Sequence, residues 1–257
     1  MDNKFAWTEL RNELDRALED SQVVDLWLRD DDAIEASPAL DRLLAETRDR
    51  NIPLTLAVIP ASASSYLFER LKEEDHVEIA IHGWSHENHA PTHEKKQELG
   101  AHRPVAVTLS ELQKGNDRLR LLAQKSDFPR SKILTMLVPP WNRIADEVLL
   151  AIEGEPFTAV SLYGRARELG ALKQLNTHID IVDWHHGKKA VPAGDLVQRF
   201  VEKLKRRRET KDREPIGILT HHLVHDEDAW NFLHLFFEAT GAHASVRWRS
   251  ASELMRA

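Results

Sequence analysis

The chain has 257 residues, no cysteine, and 35 lysines plus arginines against 42 acidic residues, for a formal net charge of −7. These figures exclude a disulfide framework, a thiolate metal site and a thiol nucleophile. They also leave no basic excess to meet a phosphate backbone, so nucleic acid is not an expected partner. Hydrophobic residues make up 42%, enough for a sizeable core and too many for a disordered chain.

The predicted elements alternate along the chain. Residues 5–19 read as an amphipathic helix, with Leu10, Leu14 and Leu18 on one stripe. Residues 23–29 read as a strand, and Ser37-Pro38 opens a helix carrying Leu40, Leu43 and Leu44. A buried strand runs from Leu54 to Ile59 and stops at Pro60. A helix over 62–74, a strand over 77–81 and a long polar loop over 88–107 follow; loops of that length are often functional. Next come a helix over 108–124, a strand over 133–138 ended by Pro139-Pro140, a helix near 145–152 and a strand near 158–162. Two short strands are expected near 171–182, a helix over 194–208, a strand over 216–220 and a helix over 226–239, with a short strand and helix last. Strands alternating with helices predict a parallel sheet, open or closed. The length suits one domain, 1–257, since a single α/β barrel fills about 200–250 residues. No glycine-rich phosphate loop follows the first strand, which lowers the case for a nucleotide-binding sheet. The N-terminus lacks an apolar stretch behind a basic start, and the longest apolar runs are a few residues. A cytoplasmic chain with no membrane span is therefore expected.

Chemistry-bearing residues gather just after predicted strands. Arg29-Asp30-Asp31-Asp32 sets three carboxylates in a row, an arrangement that repels itself unless a cation or a proton holds it. His82 and His86 are four apart and His89 three beyond, so on a helical turn they would share a face that suits a divalent metal. His221, His222 and His225 follow the strand over 216–220, and His178, Asp180, Asp183, His185 and His186 form a looser group. Twelve of the 14 histidines lie in 76–102, 178–186 and 221–225. In an α/β barrel the C-terminal strand ends carry the active site, so this clustering points to a metal hydrolase.

The order of these motifs resembles the polysaccharide deacetylases, the chitin-deacetylase-like carbohydrate esterases. An Asp pair follows the first strand; then come His82-x-x-x-His86, Pro139-Pro140-Trp141, Asp183-Trp184 and Leu219-x-His221, over about residues 21–226. The resemblance implies a distorted (β/α) barrel of about seven strands. It implies metal-dependent removal of an N- or O-linked acetyl group from a sugar or small glycan, an acetylated carbohydrate being the partner. Position by position it implies Asp30 as general base and Asp31 as metal ligand, with a one-residue slip to Asp31 and Asp32 as the alternative. His82 and His86 become the other ligands of a divalent ion, zinc being expected, and His221 the general acid, with His222 its neighbouring alternative. Pro140 and Trp141 would support the oxyanion through the Trp141 backbone N–H, and Asp183 and Trp184 would wall the substrate site. Two departures stand out: Val138 occupies the place of an arginine that orients the catalytic aspartate, and Gly83 that of a serine or threonine. The rival readings are a barrel metallohydrolase for another amide or ester, or a carbohydrate-binding homologue with little turnover.

Overall fold

A computed structural model describes residues 3–153, 156–167 and 170–256. Its strands are β1 (Val24–Ala33), β2 (Leu54–Val58), β3 (Val77–His82), β4 (Ile133–Val138), β5 (Ala159–Val160), β6 (Lys173–Gln174), β7 (Ile179–Asp180), β8 (Val182–Asp183), β9 (Lys189–Ala190), β10 (Ile216–Thr220) and β11 (Val246–Trp248). Its α-helices are α1 (Asn3–Glu19), α2 (Pro38–Arg48), α3 (Ser65–Leu71), α4 (Val105–Lys125), α5 (Asp146–Ala151), α6 (Ala193–Thr210), α7 (Glu227–Gly241) and α8 (Ala251–Arg256). All residues of β2 and of β10 are buried. Such unbroken runs are what a parallel strand covered on both faces requires.

The strands pair in parallel in the order β6-β5-β4-β3-β2-β1-β10-β7, with β11 added beside β1, while β8 and β9 form a separate antiparallel ribbon. The end strands β6 and β7 are separated only by residues 175–178, so the sheet curls into a half-barrel with helices around it. This is the expected distorted (β/α) barrel; three of its eight path strands are two residues long.

Two apolar layers hold the barrel. Between sheet and helices lie Leu10, Leu40, Leu44, Phe68, Leu112, Phe200 and Phe236 with the outward residues of the strands. Inside the barrel Trp27 sits with Ala57, Ala80, Met136, Val138 and Ala159, closed below by Ala251 and Leu254 of α8. The alanines leave room for the indole, and Gly217 does the same: a Cβ there would come within 2.4 Å of Trp27 Nε1. Trp27 is therefore core. The Ser37 cap forms as expected, its hydroxyl accepting from the Leu40 N–H 3.1 Å away, a bond worth about 1 kcal/mol.

Two local expectations change. The first strand does not stop at residue 29 but runs through all three aspartates to Ala33. The segment after His82 is not a helical turn: no helix begins before Val105, and Gly83 and His86 both take positive φ, 57° and 60°.

Candidate active site

The aspartate run lies at the C-terminal end of β1, at the barrel mouth. Along β1, Trp27, Arg29 and Asp31 alternate onto the interior side. An uninterrupted strand would place Ala33 there too, yet Ala33 packs on the helix side. The register explains this: Asp30 faces Leu56 and Ala33 faces Val58, so three steps on β1 match two on β2. Asp32 is at φ 70° in this irregularity. One extra residue in a strand is a β-bulge, which bends the strand and re-aims a side chain.

Each carboxylate consequently has different partners. Asp30 is fully buried and accepts from the His222 backbone N–H at 2.8 Å, the Thr220 hydroxyl at 2.7 Å and the His222 ring at Nδ1. Burial opposes its charge, but His222 outweighs burial and holds the carboxyl below its ordinary range. His222 is raised in turn: burial disfavours the imidazolium, and Asp30 more than compensates. Asp31 pairs with the fully buried Arg29, whose Nη2 donates to Oδ2 at 3.0 Å and whose Nε lies 2.8 Å from Oδ1. The same guanidinium donates to the Ser161 hydroxyl at 2.6 Å and to Asn142 Oδ1 at 2.6 Å. Asp32 alone of the three faces His82 and His86: its Oδ1 is 3.1 Å from His82 Nε2 and 3.3 Å from His86 Nε2.

Among the described residues, Asp32, His82 and His86 are the one group of three acidic or histidine side chains gathered closely enough to hold a metal ion. The carboxylate beside the histidines is therefore the one of the alternative register, Asp32. Asp31 lies on Arg29 rather than among the histidines, and Asp30, sealed against His222 and Thr220, has no access to water. The donor chemistry fits a cation. His82 Nδ1 is 2.9 Å from the Val138 carbonyl oxygen, an acceptor, so Nδ1 carries the proton and a neutral His82 turns the Nε2 lone pair to the Asp32 carboxylate. A lone pair facing a carboxylate needs a proton or a metal between them. With no metal, the proton is favoured: burial disfavours the imidazolium, but Asp31 and Asp32 outweigh it and raise His82. Asp32 is held well below the carboxylate range, its burial overcome chiefly by the His82 bond and charge.

His86 is presented by a loop that sequence reasoning did not connect to it. Buried Glu98 accepts from the backbone N–H groups of Trp84, Ser85 and His86 at 3.1, 2.8 and 3.2 Å. Gly83 makes this possible. A Cβ there would lie 2.2 Å from Glu98 Oε2 and 2.6 Å from Pro140 Cγ, so the serine or threonine implied by the resemblance could not stand at 83. Pro140 is buried and lies against Gly83 in this turn. Trp141, at φ 55°, sets its ring against His86, the centroids 4.3 Å apart and the planes tilted by 54°. His89 is outside the triad.

The opposite wall comes from the turn after β10. His221 packs edge-to-face on Trp184, ring centroids 4.6 Å apart, and is close enough to act electrostatically on Asp32 and Asp180. Trp184 donates its indole N–H to Asp180 Oδ2 at 2.8 Å. Burial raises the Asp180 carboxyl, and Asp31 adds to the rise. Asp183 stands apart from them. It accepts from the His185 and His186 backbone N–H groups and lies 2.7 Å from the His186 ring. The carboxylate beside Trp184 and His221 is thus Asp180, three residues earlier than expected.

No family model matches the chain, and no curated protein does. Solved structures do. A peptidoglycan N-acetylglucosamine deacetylase superposes with a TM-score of 0.59 at 17% identity, over 91% of this chain and 89% of that one. A family 4 acetyl xylan esterase from Clostridium thermocellum, in complex with a cobalt ion, gives 0.55 at 13% identity over 90% of each chain. A family 4 carbohydrate esterase from Streptomyces lividans, in complex with acetate, gives 0.56 at 13% identity, over 87% and 90%. The chain has the polysaccharide deacetylase fold. Within that fold Val138 is buried apolar core, and the guanidinium beside the aspartates comes from Arg29, two residues from Asp31 on the same face of β1. No helix of the described residues is long and apolar enough to cross a membrane.

Proposed function

We propose that this chain is a metal-dependent hydrolase that removes an acetyl group, N- or O-linked, from a sugar or small glycan. The observation that carries the reading is the convergence of Asp32, His82 and His86 at the barrel mouth, with His82 Nδ1 committed to the Val138 carbonyl. The cobalt and acetate held by two structures of the same fold support it.

Asp32, His82 and His86 would hold the ion, zinc being our expectation, although two imidazoles and a carboxylate suit several divalent metals. When bound, it would polarise the acyl carbonyl and acidify water. Asp31 is the general base. It directly precedes Asp32 on β1, and Arg29 lies on both of its oxygens. Arg29, itself tied to Ser161 and Asn142, fixes that carboxylate in place. The water oxygen bonds to the acyl carbon while its proton passes to Asp31. His221 then gives a proton to the departing nitrogen or oxygen as the bond from the acyl carbon to the sugar breaks. The Trp141 backbone N–H serves the oxyanion, and the exposed faces of Trp141 and Trp184 flank the sugar.

The test is metal content and acetate release from acetylated sugars, side by side. Wild type should carry about one equivalent of metal, in line with a three-ligand site that leaves positions open. Asp32→Ala and His82→Ala should lose both metal and activity; Asp31→Asn should keep the metal and lose activity. Metal retained in Asp32→Ala but lost in Asp31→Asn would restore the other register. Full metal loading without acetate release, but with phosphate or another acyl group released, would move the chain to a different hydrolase.

A further inference from the structure

We infer that Asp30 is a positioning residue: a carboxylate clamp that sets the place of His221 relative to Asp31 and Asp32. The inference rests on the functional reading above and adds a residue to it. Asp30 is buried at 0% exposure, yet it touches nothing in the metal triad. Its three bonds all go to the last residue of β10 and the turn after it. Thr220 Oγ1 donates to it at 2.7 Å and the His222 backbone N–H at 2.8 Å, and the His222 ring closes on it through Nδ1. Thr220 and His222 are the two chain neighbours of His221. One carboxylate thus ties down the residues on either side of the proposed acid. The His221 N–H is held too, donating to His225 Nε2 at 3.2 Å. Its backbone, at φ −145° and ψ 83°, is left little freedom, and its ring rests on Trp184.

The clamp also carries register. Asp30 faces Thr220 across the β1–β10 ladder and precedes Asp31 and Asp32 directly. The groups proposed to take a proton and to hold the metal therefore sit one and two residues from the group that anchors the proposed acid. A misplacement of about 1 Å can cost on the order of a hundredfold in rate, so such a link has a kinetic signature.

Asp30→Ala removes all three bonds, and Thr220→Val, the milder variant, removes one. Each is assayed with an N-acetylglucosamine oligomer, whose amine must be protonated to leave, and with 4-nitrophenyl acetate, whose phenolate leaves unaided. Circular dichroism and metal content check that the fold and triad persist. A displaced acid should lower kcat on the oligomer by about 10² or more in Asp30→Ala, less in Thr220→Val, with KM little changed and the aryl ester hydrolysed at the wild-type rate. An equal fall on both substrates, or no fall on either, overturns the clamp. A crystal structure of each variant reads the same point without turnover: His221 should leave its seat on Trp184, and a ring still packed there overturns the inference. If wild type releases no acetate from either probe, the deacetylase reading fails by itself, and this structural readout still decides whether Asp30 places His221.

Discussion

Two stretches at the barrel mouth each carry more than one carboxylate: Arg29 to Asp32, and Asp180 to His186. In the first, each carboxylate binds a different part of the site. Asp30 holds the turn after β10, Asp31 pairs with Arg29, and Asp32 meets the histidines of the neighbouring loop. In the second, Asp183 serves its own loop, bonding the residues two and three ahead, and the His186 side chain is 83% exposed. Only Asp180, half-buried and bonded by Trp184, turns towards the site. The contrast shows that residue type marks a candidate region, but burial separates chemistry from loop capping. A buried carboxylate must find a partner or lose its charge, and that demand ties it to distant parts of the chain.

Four experiments break or sharpen the contrast. The largest effect should come from Asp31→Asn. It should lower kcat by about 10²–10⁴-fold, the range for a lost general base, with the metal retained. A variant with full activity would remove Asp31 from the chemistry.

Arg29→Leu should come next. It leaves Asp31 buried without its counter-charge and Asn142 and Ser161 without their donor. Breaking a buried pair costs about 3–5 kcal/mol, so chemical denaturation should show a loss of that order. The Asp31→Asn, Arg29→Leu double variant should recover part of it.

The third turns on pH. Burial pushes His225, edge-on to Trp230, down to about 4, with His222 and His221 adding to the effect. In the unfolded chain it titrates near 6.5. Between those values the unfolded state takes up a proton that the folded state refuses, so this histidine costs stability as pH falls. At about 1.4 kcal/mol per unit, wild type should lose roughly 3 kcal/mol more than His225→Asn on going from pH 6.5 to 4. Parallel stability curves would show that His225 is not held neutral.

The smallest effect belongs to the exposed stretch. Asp183→Asn should leave metal content and activity unchanged, because its partners are the adjacent N–H groups and an exposed ring. A large loss of activity would show that this loop reaches the substrate.

Much of the fold was legible because its signals are local. Unbroken apolar runs such as Leu54–Val58 and Ile216–Thr220, alternating with amphipathic helices and the Ser37-Pro38 start, predict a parallel sheet wrapped by helices. The histidine spacing singled out His82 and His86, and the closing motif His221. The division of labour among Asp30, Asp31 and Asp32 was not legible. It depends on a bulge in the β1–β2 ladder and on a positive φ at Asp32, neither of which has a glycine or proline to announce it. Glu98 escaped notice for a similar reason: one glutamate in a polar loop looks like any other until the loop folds back and three N–H groups meet it. Arg29 was visible in the run, but nothing near it in the chain shows that its guanidinium would reach Ser161 and Asn142, 132 and 113 residues away.

The sequence by itself determined a parallel sheet wrapped by helices, the strand ends that carry the chemistry, and two of the three residues that meet at the triad, because periodicity and spacing act between residues a few positions apart; the closed barrel was implied only by the family resemblance. Only the tertiary structure decided which aspartate joins the histidines, which arginine braces its neighbour and which carboxylate anchors the His221 turn. Those outcomes depend on where strands distant in the chain bring buried charges together, and a buried charge takes the partner that the packing puts beside it.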